Sequence, residues 1–117
     1  MVVPERAPWE DARRRGVNFR AVGNEPGWYL EWQEGRQLLY VGSYGSERIL
    51  LPDPGVQWQE GVRLIQAREG GQEVIVEIQT EACMDSMSGR QYPASVSLVV
   101  NGNPLKGCGM DLTIPWK

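Results

Sequence analysis

Two cysteines, Cys83 and Cys108, bracket the stretch CMDSMSGRQYPASVSLVVNGNPLKGC, and no other feature narrows the fold as much. Joined, they close a segment of 26 residues and pin one strand end to another, so the remaining strands must register against a staple. On the chain-entropy account, closing such a loop stabilises the fold by roughly 3.5 kcal/mol, and the bond persists only in an oxidising compartment. A rival use of the thiols is a soft-metal site. Met84, Met87 and Met110 lie near them, and thiolate with thioether ligands suits Cu(I). The spacing lacks the close Met/Cys clustering of a dedicated site, so a disulfide with methionines packed around it is the reading taken.

Within the stapled stretch, Tyr92-Pro93 predicts the start of an extended strand, because proline biases its predecessor away from helix. Val96, Leu98 and Val100 then point inward while Ser95 and Ser97 point out. Asn101-Gly102 is a strong two-residue hairpin signal. Met110–Ile114 reads as a closing strand that Pro115 ends.

The chain ahead of the staple alternates in the same way. Residues 1–7 read as a loose N-terminal arm, and residues 8–117 as one domain. Pro8-Trp9-Glu10-Asp11-Ala12-Arg13-Arg14-Arg15-Gly16 carries the marks of a short helix: proline and acids in the first turn, arginines in the last, glycine beyond. Such a helix is too short to survive alone, so Trp9 must dock it on the body. Phe19–Gly23 and Trp28–Trp32 read as strands around a turn at Asn24-Glu25-Pro26-Gly27, with Trp28, Leu30 and Trp32 on one face and Tyr29 and Glu31 on the other. Further strands are expected at Leu38–Val41, Arg48–Leu51, Val62–Arg68 and Glu73–Glu81, with Pro52-Asp53-Pro54-Gly55 as the strongest breaker. About eight short antiparallel strands with tight turns predict an all-β fold: a small meander barrel with one short N-terminal helix. A two-sheet sandwich is the alternative.

Several functions are disfavoured by what the chain lacks. Histidine is absent, which removes Ser-His and Cys-His pairs and the commonest zinc ligand. A net charge of −3 offers no basic face for phosphate, so nucleic acid is not an expected partner. No apolar run approaches the length of a membrane-crossing helix. Ser88 with Lys106 suggests a Ser-Lys dyad, yet neither a nucleophile elbow nor the S-x-x-K spacing is present. Glu73 and Glu77 lie on one strand face with no acid set against them. The chain therefore reads as no enzyme, with no cofactor and no metal.

The boxes FRAVGNEPGWYLEW, CMDSMSG, YPASVSL and LKGCG resemble a family of small bacterial envelope proteins, usually predicted lipoproteins of unknown function. That resemblance, over residues 8–114, implies export and a disulfide, and marks Asn24, Glu25, Pro26, Gly27 and Trp28 as a structural box. A second resemblance lies inside the first. Ser88-Gly89-Arg90-Gln91-Tyr92 is similar to the SGxxY motif of the membrane-bound inhibitors of C-type lysozyme, with Lys106-Gly107 standing for their K-G. It departs in the residues ahead of Lys106, which are Gly-Asn-Pro-Leu. That family implies a serine and a lysine offered to the acidic cleft of lysozyme.

Together these readings predict a periplasmic or otherwise extracytoplasmic monomer that binds a protein partner in the envelope. Its binding surface is expected at the 85–92 and 101–107 loops, through Asp85, Ser88, Arg90, Tyr92 and Lys106. The start MVVPERAP reads like a mature, extended segment, so a targeting segment is expected to have been removed ahead of it, and the native precursor could carry a lipid anchor. The alternative function is a small apolar-ligand carrier with a barrel mouth lined by Trp28 and Trp32.

Overall fold

A period-two apolar pattern leaves every strand with one face to hide, and this chain hides it by curling one long antiparallel sheet around its own apolar face. The computed structural model describes residues 7–24 and 27–112. One helix, α1 (Ala7–Arg14), precedes β1 (Phe19–Gly23), β2 (Trp28–Gln33), β3 (Gln37–Gly42), β4 (Glu47–Pro52), β5 (Gln57–Gln59), β6 (Val62–Glu69), β7 (Gln72–Gln79), β8 (Cys83–Met84), β9 (Gln91–Tyr92), β10 (Ala94–Val100) and β11 (Asn103–Asp111). Nine strands form a half-barrel in the order β4-β3-β2-β1-β11-β10-β7-β6-β5, while β8 and β9 make a separate two-stranded ribbon.

Two meanders are therefore joined by one non-local pair. β1 lies between β2 and β11, with Phe19 opposite Asp111 and Gly23 opposite Gly107. The concave face is filled by Phe19, Leu30, Trp32, Tyr40, Ile65, Val76, Ile78, Val96, Leu98 and their neighbours in one cluster drawn from both meanders. The edge strand β4 comes against β6 across this core. An ion pair, Arg63 Nη1 to Asp111 Oδ1 at 2.9 Å, spans from β6 to β11 at one end of the curl.

Four glycines let aromatic rings replace missing side chains on the concave face. Trp28 lies against both Gly23 and Gly107, Tyr40 against Gly42, and Phe19 against Gly109, each so closely that a Cβ would collide. A large ring laid over a cross-strand glycine restores the burial the glycine forfeits and permits strong coiling. At Gly107 a Cβ would also strike the carbonyl oxygen of Val22 on β1. Close backbone approach, not a turn, is what this glycine serves.

The antiparallel β architecture, the N-terminal helix and the Cys83–Cys108 disulfide are as the sequence indicates. Hairpins at Gly70-Gly71 and Asn101-Gly102 have both residues at positive φ, as two-residue turns of this kind require. Other expectations need correction. The strands number eleven among the described residues. β5 went unrecognised, and the closing strand begins at Asn103 rather than Met110. Residues 103–106 pair with β10 alone, beyond the end of β1, which is where Pro104 is tolerated. Ala7, read as part of the arm, starts α1. Residues 1–6, the turn residues Glu25 and Pro26, and positions 113–117 with the end of the expected closing strand lie outside the described residues. Trp28 and Trp32 are buried in the concave core, and Trp28 also borders a groove on the other side of the sheet edge.

Two measurements check this packing. Trp28→Ala is expected to cost about 3–5 kcal/mol in urea denaturation, since it removes the ring that covers two strands; a loss under about 1 kcal/mol would place the ring outside the core. Alkylation without reductant is expected to add no mass at either cysteine, and reduction to lower the melting temperature. Two alkylated thiols with an unchanged melt would overturn the staple.

Candidate functional site

On the convex face of the sheet a second, smaller core forms where α1 lies over β1 and β11. Trp9, Ala12, Val17, Tyr92, Cys108 and Leu112 cluster there, with Val22, Cys83 and Met110 against them. The helix ends at Arg14, and Gly16, with a φ of +91°, turns the chain away from it. Beyond it Arg15 reaches the sheet, donating from Nη1 and Nη2 to Glu31 Oε1 and Oε2 at 3.0 Å each, and from Nε to Asp11 at 2.8 Å. Arg20 Nε donates to the same Glu31 Oε2 at 3.2 Å.

Arg20 is 6% exposed and Glu31 5%. Two guanidinium groups thus share one buried carboxylate. The Arg20 guanidinium also packs against two rings, 4.9 Å from the Trp9 centroid and 4.8 Å from the Tyr29 centroid. Burial pushes its pKa down, against the opposing hydrogen bond it donates to Glu31, while the Glu31 and Asp11 contacts raise that of Arg15.

Beside this cluster runs a groove of about 490 Å³, walled by Trp9, Tyr29, Tyr44 and Tyr92, with Arg20, Asp85 and Ser88 as its polar groups. Tyr44 stands on its rim, 80% exposed. It and Ser43 both adopt left-handed backbone, with φ of 56° and 49°, a conformation that costs a non-glycine residue of order 1–3 kcal/mol. The Tyr44 amide donates to the Gly27 carbonyl at 3.1 Å, and its ring lies against Gly27, where a Cβ would sit 3.0 Å away. Gly27 of the structural box thus makes room for an exposed tyrosine.

The opposite wall is the turn between β8 and β9. Asp85 organises it: the Ser88 amide and Oγ both donate to Asp85 Oδ2, at 3.1 and 2.7 Å, and the Arg90 amide donates to Ser88 Oγ at 3.2 Å. Asn24 Nδ2 donates to Asp85 Oδ1 at 2.5 Å, so the box before Trp28 and the box after Cys83 are physically joined. Asp85 also borders a second, polar groove of about 290 Å³ with Ser86, Ser95 and Lys106.

The structure therefore brings Asp85, Ser88 and Arg90 into one turn and sets Ser88 and Lys106 on the two sides of Asp85. Two placements differ from expectation. Tyr92 is buried and stacked on Trp9, ring centroids 5.3 Å apart, because β9 turns it under the helix. The Ser88 hydroxyl is spent on Asp85. Arg20, Tyr29 and Tyr44 were missed. A tyrosine inside Gly-Ser-Tyr-Gly, between two breakers, is the signal that could have drawn attention to Tyr44.

Burial raises the Asp85 pKa, but the hydrogen bonds from Ser88, Asn24 and the backbone amides outweigh it and hold the carboxyl below its usual value. A depressed folded pKa means this contribution is present above the unfolded value of about 3.9 and lost as pH falls through the lower folded one. The Ser88 amide resonance is expected to titrate below about pH 3.9; a midpoint above that would overturn the assignment. Compared with known proteins, the chain matches no family model, no curated protein and no solved structure.

Proposed function

We propose that the protein is an extracytoplasmic, non-catalytic binding module whose contact surface is formed by the 43–45 and 84–90 loops and the groove between them. One observation carries this reading. Of the five large apolar side chains exposed among the described residues, three, Tyr44, Met84 and Met87, sit on those two loops, with Met87 72% exposed, while Leu50 and Trp58 stand on the outer strands β4 and β5. Both loops border the groove, through Tyr44 on one and Asp85 and Ser88 on the other, and exposed apolar side chains grouped on such loops mark an interaction surface, whereas singly scattered ones need no explanation. The strained backbone at Ser43-Tyr44 points the same way, since strain of that kind gathers at functional sites.

Catalysis finds little support in this groove. Its carboxylate, Asp85, is held ionised by donors from Ser88 and Asn24, the opposite of a group poised to exchange protons near neutrality. The disulfide supports an oxidising compartment. Among the described residues no helix is long and apolar enough to cross a membrane.

The SGxxY and K-G resemblance makes C-type lysozyme the partner to test first. Lys106 is exposed and offers a cation to an acidic cleft, while Ser88, held by Asp85, shapes the loop. Folded, disulfide-intact protein titrated into lysozyme on cell-wall substrate is expected to inhibit at micromolar levels. Lys106→Ala should weaken this by about tenfold to a hundredfold, the loss of one desolvated charge-assisted contact. Full lysozyme activity at tens of micromolar of the protein, roughly the weak end of specific binding, would exclude this partner.

A further inference from the structure

We infer that the aromatic groove on the convex face is a binding site for a small organic monocarboxylate with a flat apolar body, its carboxylate received by Arg20. This goes beyond the protein-partner reading, which takes the groove only as part of a contact surface and is tested at Lys106, outside it. The groove, at about 490 Å³, has the size of small-molecule sites and their make-up: mostly aromatic walls with a few placed polar groups.

Arg20 is what gives the groove its chemistry. Among the described residues, Nε is the one nitrogen of its guanidinium that is hydrogen-bonded within the protein, yet the side chain is more than nine-tenths buried and lines the groove. A guanidinium fork matches a carboxylate in plane while its faces stack on rings, and Trp9 and Tyr29 already hold those faces. Of the two carboxylates that balance Arg15 and Arg20, Asp11 lies on the exposed side of Arg15 and Glu31 lies between the two arginines, so Arg20 itself meets only a carboxylate that it shares. Burial alone penalises the charged Arg20, and an arriving anion would offset that penalty.

The same residues limit what fits. A cationic ligand meets rings whose cation position Arg20 already fills. A second negative charge on the ligand would face Asp85 on the opposite wall, which is itself ionised. The exposed ring of Tyr44 can close over the apolar body of a ligand lying between these poles.

The test uses phenylacetate and its neutral isostere phenylacetamide, followed by nuclear magnetic resonance of the intact, oxidised protein. Phenylacetate is expected to shift the Trp9 indole and Arg20 side-chain resonances and to bind at least about tenfold more tightly than the amide, the scale of one charge-assisted contact. Arg20→Gln should abolish the preference. Should that variant fail to fold beside Glu31, Tyr44→Ala on the exposed rim is the second variant, expected to weaken phenylacetate severalfold with the melt unchanged. Equal binding of the two probes, shifts confined to another surface, or no shift at tens of millimolar would each overturn the site. Lysozyme inhibition depends on Lys106 and on another ligand, so either proposal can fail alone.

Discussion

The pairing of β1 with β11 is the constraint on which the rest of the molecule depends. Each meander is local, built from hairpins between consecutive strands, but the two halves share one sheet only through this seam. Its two sides carry different tasks. On the concave side Gly107 and Gly109 let Trp28 and Phe19 lie flat against the backbone, which is how the core closes at the place where the meanders meet. On the convex side Val22, Cys108 and Met110 receive the helix and the disulfide. A pair joining residue 19 to residue 111 closes a long loop, whose entropy must be offset by contacts made on both faces at once. Packing on one face alone would leave the seam the weakest line in the sheet.

The elements that follow from short-range chemistry were legible in the sequence. The alternation in β7 and β10, the Asn101-Gly102 turn, and the acid-to-base order of α1 each declare themselves within a few residues. What alternation cannot show is whether the outward face stays outward. Glu31 and Tyr92 both fall on the face away from the main core, and both are buried because α1, a distant segment, settles over them. β11 was illegible for a related reason. Two of its inward positions, Gly107 and Gly109, are glycines, so there the apolar half of its pattern is supplied by Trp28 and Phe19 from other strands. The site divided the same way: the turn around Asp85 was readable from its serines and glycine, whereas the approach of Arg20, Trp9 and Tyr29 depends on tertiary docking.

The convex face thus serves two ends with one set of side chains. Arg15 and Arg20 fasten the helix to the sheet through Glu31, and the Trp9 ring that completes this fastening is also a wall of the groove. Such sharing keeps the groove rigid, because its walls cannot move without breaking the contacts that hold the helix. Its rim, at Tyr44 and at Asp85 and Ser88, is built from loops instead. Affinity on this plan comes from a preformed floor, and adaptability from the rim.

Leaving the sheet open at β4 and β5 has a consequence for how the fold accommodates change. In a closed barrel, strand number and stagger fix the radius. Here the outermost strands are held by a neighbour on one side, so curvature is set by the bulk of the side chains enclosed between β4 and β6. A smaller residue near those margins lets the sheet tighten and reclaim the space, while the same loss at Gly23, Trp28 or Gly107 meets backbone already in contact. Tolerance to sequence drift should therefore grade across the molecule, low along the line where its two ends meet and rising toward both rims.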